Sequence, residues 1–395
     1  MSRGVILQYI NAVAVTSAEG TINFLYSPYL AHYGYTLPTI GSLSALFAIL
    51  RLASRIPTGA AYNATTARRQ LALWLVVFTL STSGFVFAGG NIFAVIALTV
   101  VHGYAFGALG TINLAIVIDL TSGQRVAPVM GWYTAFISTG YAIGAFAGGW
   151  LADTFGIPVS IFVMGLVPVA AIFTATALPP FSAHPQAVAR GKGLRGLFDA
   201  HVKLDARVWL AFVIALYINL LADSVDTFYP LFGLAIGIPL AATGFLRGLK
   251  SGSATFIRLI SGAVFRYADH RAVNFWTVLA FALGTLVLPY LSSIAILVVV
   301  FAVLGIARGL LRVTSAAMVG ELRDEGKDVG IASGVYNAGL DVGAILGPAV
   351  GGVLGDAFGL GAMFQIVAIS SLVVYFAVGL ASPSGRKALM LATSR

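Results

Sequence analysis

The chain has 395 residues, 59% of them hydrophobic and 9% charged, with no cysteine and a mean hydropathy of +0.94. Soluble globular domains carry about 25% charged residues, so these charges are too few to cover a water-facing surface, whereas a lipid-facing surface needs none. The lack of cysteine excludes disulfides, thiolate metal sites and cysteine nucleophiles, and the net charge of +9 is explained by where the bases fall.

A helix needs about 20 apolar residues to cross a bilayer. The apolar run after Arg3 continues past Tyr26 and reads as a retained first helix, not a cleaved leader. Cutting the chain at turn signals and charge clusters gives twelve spanning segments, near 6–33, 38–61, 70–88, 92–118, 129–152, 158–179, 208–235, 240–266, 272–291, 293–319, 331–354 and 361–381. Most connections are short, such as Gly89-Gly90-Asn91 and Gly237-Ile238-Pro239. The one long polar connection, Pro179 to Arg207, divides the segments six and six. The expected fold is an all-α membrane protein of twelve transmembrane helices in two pseudo-symmetric six-helix bundles, 1–180 and 208–395, joined by a cytoplasmic linker, 181–207.

With a cytoplasmic N-terminus, the inner loops and tail hold Arg68, Arg69, Arg125, Arg190, Lys192, Arg195, Lys203, Arg207, Arg271, Arg323, Lys327, Arg386, Lys387 and Arg395, and the outer loops hold no Lys or Arg. This is the positive-inside pattern. It predicts a multi-pass protein with both termini cytoplasmic; the membrane expected is the cytoplasmic membrane of a prokaryote. The basic balance then reflects topology, and nucleic-acid binding is not expected.

An internal repeat underlies the six-plus-six division. GWYTAFISTGYAIGAFAGGWLADTFG begins at Gly131 and GVYNAGLDVGAILGPAVGGVLGDAFG at Gly334, an offset of 203 residues. The same offset pairs Gly41 with Gly244, Arg55 with Arg258, Gly59 with Gly262 and Arg68 with Arg271. Six spans per half give both halves one orientation, related by an axis along the membrane normal, with a substrate site between them.

A charge at bilayer depth costs about 2.5–3.5 kcal/mol on insertion scales, so it faces protein or a water-filled cavity. Segments three, six, nine and twelve carry none, which makes every third segment lipid-like. The membrane-depth charges lie on segments one, two, seven, eight, ten and eleven: Glu19, Arg51, Arg55, Asp223, Asp226, Arg247, Lys250, Arg258, Arg308, Arg312 and Asp341. Helical spacing places Thr16, Glu19 and Asn23 on one stripe, Asn219, Asp223 and Asp226 on another, and Arg308 and Arg312 on one face. The Gly-rich stretches have no preceding strand and no Walker lysine, so neither a phosphate loop nor an enzyme is expected.

With these features the sequence resembles the major facilitator superfamily along essentially its whole length. Its gxxxGPxxGG motif is similar to Gly140, Gly144, Gly148 and Gly149, with Ala145 at the proline position; the second-half copy, Gly343, Gly347, Pro348, Gly351 and Gly352, keeps the proline. In that family the first-half motif marks antiporters, usually drug exporters. The loop-two-three motif resembles Gly59, Arg68 and Arg69, with Asn63 in place of the Asp; the second half has Gly262 and then Arg266 in the Asp position. His102-Gly103 occupies the region of the family's helix-four Arg. The resemblance implies a transporter without cofactor, mostly monomeric in the family, whose partners are protons, a small-molecule substrate and membrane lipids.

Glu19 is the first candidate for proton coupling, since a carboxyl in a membrane cavity can take up and release a proton; the bland alternative is a structural carboxyl beside Asn23. Asp223, Asp226 and Asp341 are further candidates, although Asp226, near a helix end, also reads as a solvated group. Arg51, Asn23, Tyr133, Asn219, Arg247, Lys250, Arg308, Arg312 and Tyr336 are candidate substrate contacts. Alternatively the bases of segments eight and ten neutralise Asp223 and Asp341. Arg55 and Arg258 read as structural, snorkelling to the inner interface or paired with Asp119 or Glu321, and His102 as a packed residue. The glycines of segments five and eleven allow close helix approach or serve gating. The expected activity is proton-coupled export of a small amphipathic molecule by alternating access; the alternatives are an organic-anion carrier and, further off, a passive channel.

Overall fold

The computed structural model describes residues 2–121, 126–179, 206–266, 270–324 and 329–381. Every expected apolar segment is helical. The helices are α1 (Arg3–His32), α2 (Leu37–Ala61), α3 (Ala67–Ala88), α4 (Ile92–Asp119), α5 (Val126–Phe155), α6 (Ile157–Gly165 and Pro168–Thr176), α7 (Ala206–Ala235), α8 (Leu240–Val264), α9 (His270–Val287), α10 (Ile294–Asp324), α11 (Val329–Phe358) and α12 (Leu360–Ala381). The break in α6 falls at Leu166–Val167, before Pro168, whose ring and missing N–H interrupt the hydrogen-bond ladder. Among the described residues ten helices are long and apolar enough to cross a membrane. The other two are α1 and α8, the first diluted by residues such as Gln8, Asn11 and Glu19, the second by Arg247, Lys250 and Arg258.

Tight glycine turns join the helices at the end away from the N-terminus. Gly34, Gly89, Gly156, Gly237 and Gly359 all have positive φ, the conformation that ends a helix without Cβ strain. Asn91 then caps α4, accepting from the Phe93 and Ala94 amides.

The repeat is geometric as well as sequential. α1 packs on α5 as α7 packs on α11, α2 on α4 as α8 on α10, and α3 on α4 as α9 on α10. Thr21 Oγ1 donates to the Gly144 carbonyl at 2.8 Å, and Ser224 Oγ, 203 residues on, donates to that of Gly347 at 2.9 Å. Contact between the first six helices and the last six runs mainly through α2–α11, α5–α8 and α1–α7, while α3, α6, α9 and α12 make their principal contacts within their own six. Apolar segments thus take the outer places that their lack of charge suggests.

The crossings between the two sets are seams of backbone against backbone. A Cβ on Gly41 would collide with the Pro348 carbonyl, and one on Gly244 with the Ala145 carbonyl. Gly352 meets the Leu37 carbonyl and Gly149 that of Leu240 in the same way. Four glycines related in pairs by the repeat therefore close one end of the molecule. Asp153 reinforces one seam, its carboxylate accepting from the Leu240 and Ala241 amides at the start of α8 (3.1 and 2.7 Å).

Candidate substrate cavity

Beneath the seams, between the two sets of helices, lies a cavity of about 70 Å³. α1 contributes Glu19, Asn23 and Tyr26, α2 contributes Phe47 and Arg51, α4 His102, and α7 Asp223 and Asp226. On the opposite side from the seams, α2 and α11 are linked by an ion pair between Arg55 and Asp341 (3.4 Å), and the Arg55 side chain is 46% exposed. One end of the molecule is closed by close-packed backbone, the other by a solvated contact.

Glu19, 1% exposed, meets His102, 3% exposed, through Oε2 and Nε2 at 2.9 Å. On its other side His102 Nδ1 lies 3.1 Å from Thr82 Oγ1. That hydroxyl donates its only proton to the Phe78 carbonyl at 2.7 Å, so it accepts from Nδ1–H, and Nε2 is left facing the carboxyl. Phe47 and Phe78 stack on the imidazole. His102 is packed, as expected, but it is also the partner of Glu19, on a helix 83 positions away. Nothing in its own segment points to that pairing.

Asp226 is the hub of the second cluster. It accepts from Lys250 Nζ, from Arg308 Nη1 at 3.3 Å, and pairs with Arg247 at 3.9 Å. Asp223 pairs with Arg308 at 3.6 Å. Lys250 is 1% exposed, so it retains a charge only because Asp226 faces it. The solvated reading of Asp226 is corrected by this network: the side chain turns in towards α8 and α10 and is 11% exposed. The expected pairing of these bases with Asp341 is corrected too, because Asp341 is held by Arg55. Arg55 in turn is not paired with Asp119, which accepts from Tyr62 Oη at 2.6 Å; the Glu321 side chain lies outside the described residues.

Asn23 is occupied by Arg247, which donates to both its carbonyl and its side-chain oxygen, tying α1 to α8. Asn219 donates to the Leu340 carbonyl at 2.8 Å and ties α7 to α11. Tyr133 lies apart from the cavity, in an apolar cluster with Val5, Tyr9, Ala12 and Val117. Tyr336 donates to the Arg312 carbonyl at 3.4 Å beside Ser315. Arg51 stands over the Phe47 ring at 5.7 Å.

Gly140, Gly144 and Gly148 give α1 its close approach to α5, and Gly343, Gly347 and Gly351 do the same for α7 on α11. Of the loop motif, Arg68 donates to the Leu178 carbonyl at 2.9 Å and Arg69 is exposed. Asn63 accepts from Thr65 within its own turn, and Gly59 faces Thr111. Asn63 thus makes a local Asx turn where a charged latch has an Asp.

The Major Facilitator Superfamily profile matches residues 9–296 and 266–389. The chain belongs to that superfamily. It is a multi-pass membrane transport protein rather than an enzyme. Within the superfamily it is 24% identical over 326 residues to Multidrug resistance protein 2 of Bacillus subtilis, covering 80% of each chain. It is 20% identical over 383 residues to an uncharacterized MFS-type transporter of Methanocaldococcus jannaschii, covering 95% of this chain and 97% of the relative. A shorter match, 25% over 154 residues and 39% of each chain, is to the quinolone resistance protein NorA of Staphylococcus aureus. The fold matches the crystal structure of the nucleoside transporter NupG with a TM-score of 0.77, covering 95% and 98% of the two chains at 15% identity.

Proposed function

We propose that the protein is a secondary active transporter that exports a small amphipathic organic molecule in exchange for protons. Twelve spans form two six-helix bundles, 1–180 and 208–395, which rock about the central cavity as a monomer, with both termini in the cytoplasm. The observation that carries this reading is the pair of repeat-related glycine seams closing one side of a charged cavity whose other side is held by the exposed Arg55–Asp341 pair. A carrier needs a barrier on one side at a time, and seams without interlocking side chains part without unravelling a core. The names of the multidrug and quinolone resistance relatives support export.

The proton site in this reading is the Glu19–His102 pair, which holds one proton between Oε2 and Nε2. Substrate entering beside it competes for the same groups, so binding and proton release are linked. The test uses proteoliposomes with an entrapped pH dye and a panel of amphipathic compounds, fluoroquinolones among them. Transported compounds should drive proton movement through wild-type protein and not through Glu19→Gln. Equal substrate flux in both, insensitive to the pH gradient, sinks the coupling; single-channel currents sink the carrier reading altogether.

A further inference from the structure

The charges of the cavity region do not balance. Glu19 is matched by His102, Asp341 by Arg55, and Asp223 and Asp226 by Arg308, Lys250 and Arg247. Among the described residues Arg51, Arg258 and Arg312 have no carboxylate partner; all three side chains are half-buried, and in each the Nε is buried without any hydrogen-bond partner. Arg312 lies within electrostatic range of Arg51, Arg308 and Asp223, and Arg258 within range of Arg312 and Arg308. Of the described acids near them, Asp223 is already engaged by Arg308, and Glu19 and Asp226, which line the same cavity as Arg51, by His102 and Lys250. Arg51 comes from α2 and Arg312 from α10, so these two unmatched guanidinium groups lie near each other across the interface, with Arg258 of α8 beside Arg312. Buried charges persist where something pairs with them, and a guanidinium presents a fork of donors fitted to a carboxylate, phosphate or sulfonate.

We propose that the transported molecule carries an anionic group, which binds between Arg51 on one side and Arg258 and Arg312 on the other. The inference rests on the transporter reading above and adds the charge of its substrate. It also gives the excess basic residues a part in the cycle: an anion bound from both sides draws the two sets of helices together, which an empty site repels.

The test uses full-length protein in nanodiscs of phosphatidylcholine, with three probes that share one ring system: 2-naphthoate, neutral 2-naphthamide and cationic 2-naphthylmethylammonium. Naphthoate alone should raise the unfolding temperature. Arg51→Gln and Arg312→Gln should each weaken its binding by about tenfold or more, the loss of one charge-assisted contact. Ligand-free Arg312→Gln should unfold at a higher temperature than wild type, because an unpaired cation has been removed. The proposal fails if the amide or the ammonium stabilises as well as naphthoate does, or if both variants bind naphthoate normally. It also fails if stabilisation requires phosphatidylglycerol discs and naphthoate has no effect, which would make the anion a lipid headgroup. Proteoliposome flux of the same probes separates this from the transporter reading. Naphthoate binding without flux of any probe leaves the anion site standing and removes the transporter, and flux of the ammonium alone does the reverse.

Discussion

Asp226 faces three bases, and the consequence of removing it is set by Lys250, which has no water to turn to. Asp226→Asn should therefore cost about 3–5 kcal/mol, the range for breaking a buried ion pair by one partner. Asp226→Asn combined with Lys250→Met should recover most of it, and thermal unfolding of both variants in detergent decides the matter; equal losses would mean that Lys250 is not the stranded group. Thr82 acts through a single hydrogen bond. Thr82→Val removes the acceptor of His102 Nδ1–H, leaving a buried donor unmet at a cost of about 1–3 kcal/mol, and it frees the imidazole to present Nδ1 or Nε2. Proton-driven flux should fall more than substrate binding does. Serine at the same position should restore both, whereas a purely structural role would lower them together. At this scale the sequence was informative about which groups sit at membrane depth and silent about which way they face. Glu19 stands out as a carboxyl in an apolar run, yet its partner is reached only by folding α4 against α1. The solvated alternative for Asp226 fails because its position along α7 is visible in the sequence, while the bases facing it belong to α8 and α10.

Glycines turn neighbouring helices into seams, and the seams make testable units. Gly149 lies against the Leu240 carbonyl, and Asp153, one turn further along α5, caps α8 across the same crossing. Gly149→Ala or Asp153→Asn should loosen this end and shift the population towards a form open there. The protein has no cysteine of its own, so Ser27→Cys, buried and on the cavity wall, reports the change without background. Labelling by an impermeant maleimide from the seam side should rise severalfold in either variant; unchanged labelling would mean that the crossing does not gate access. The repeat made these glycines legible as a class, since the matched spacing marks helix faces that tolerate only hydrogen. It did not distinguish those packing α1 on α5 from those joining the two sets of helices, because a spacing along one helix does not name the helix opposite. The cap by Asp153 has no counterpart among the described residues: at the repeat-related start of α2, Pro38 stands where α8 has Ala241 and has no N–H to donate.

The whole molecule was the most legible, because the lipid imposes a pattern that loops, charges and apolar lengths all obey. Twelve apolar segments became helices, and segments three, six, nine and twelve, expected to be lipid-like, took the outer places. Orientation rests on the basic residues of the loops. Thr65→Cys, in the exposed α2–α3 turn, should label only after permeabilisation of intact cells, and Ser293→Cys, in the exposed α9–α10 turn, without it. The opposite pattern would invert the protein and turn the proposed exporter's closed face inward.

The five positive-φ glycines lie on one face of the molecule, each in a turn of a few residues between successive helices. Such turns have almost no slack. They strap α1 to α2, α3 to α4, α5 to α6, α7 to α8 and α11 to α12, so each pair swings as one arm. The sixth helix ends and the seventh begins on the other face, where α1 also starts. With almost no slack in these turns, opening at the strapped face is limited to what the tilt of the arms allows. Lengthening one of the glycine turns would thus change how far the arms travel before it changed what they carry.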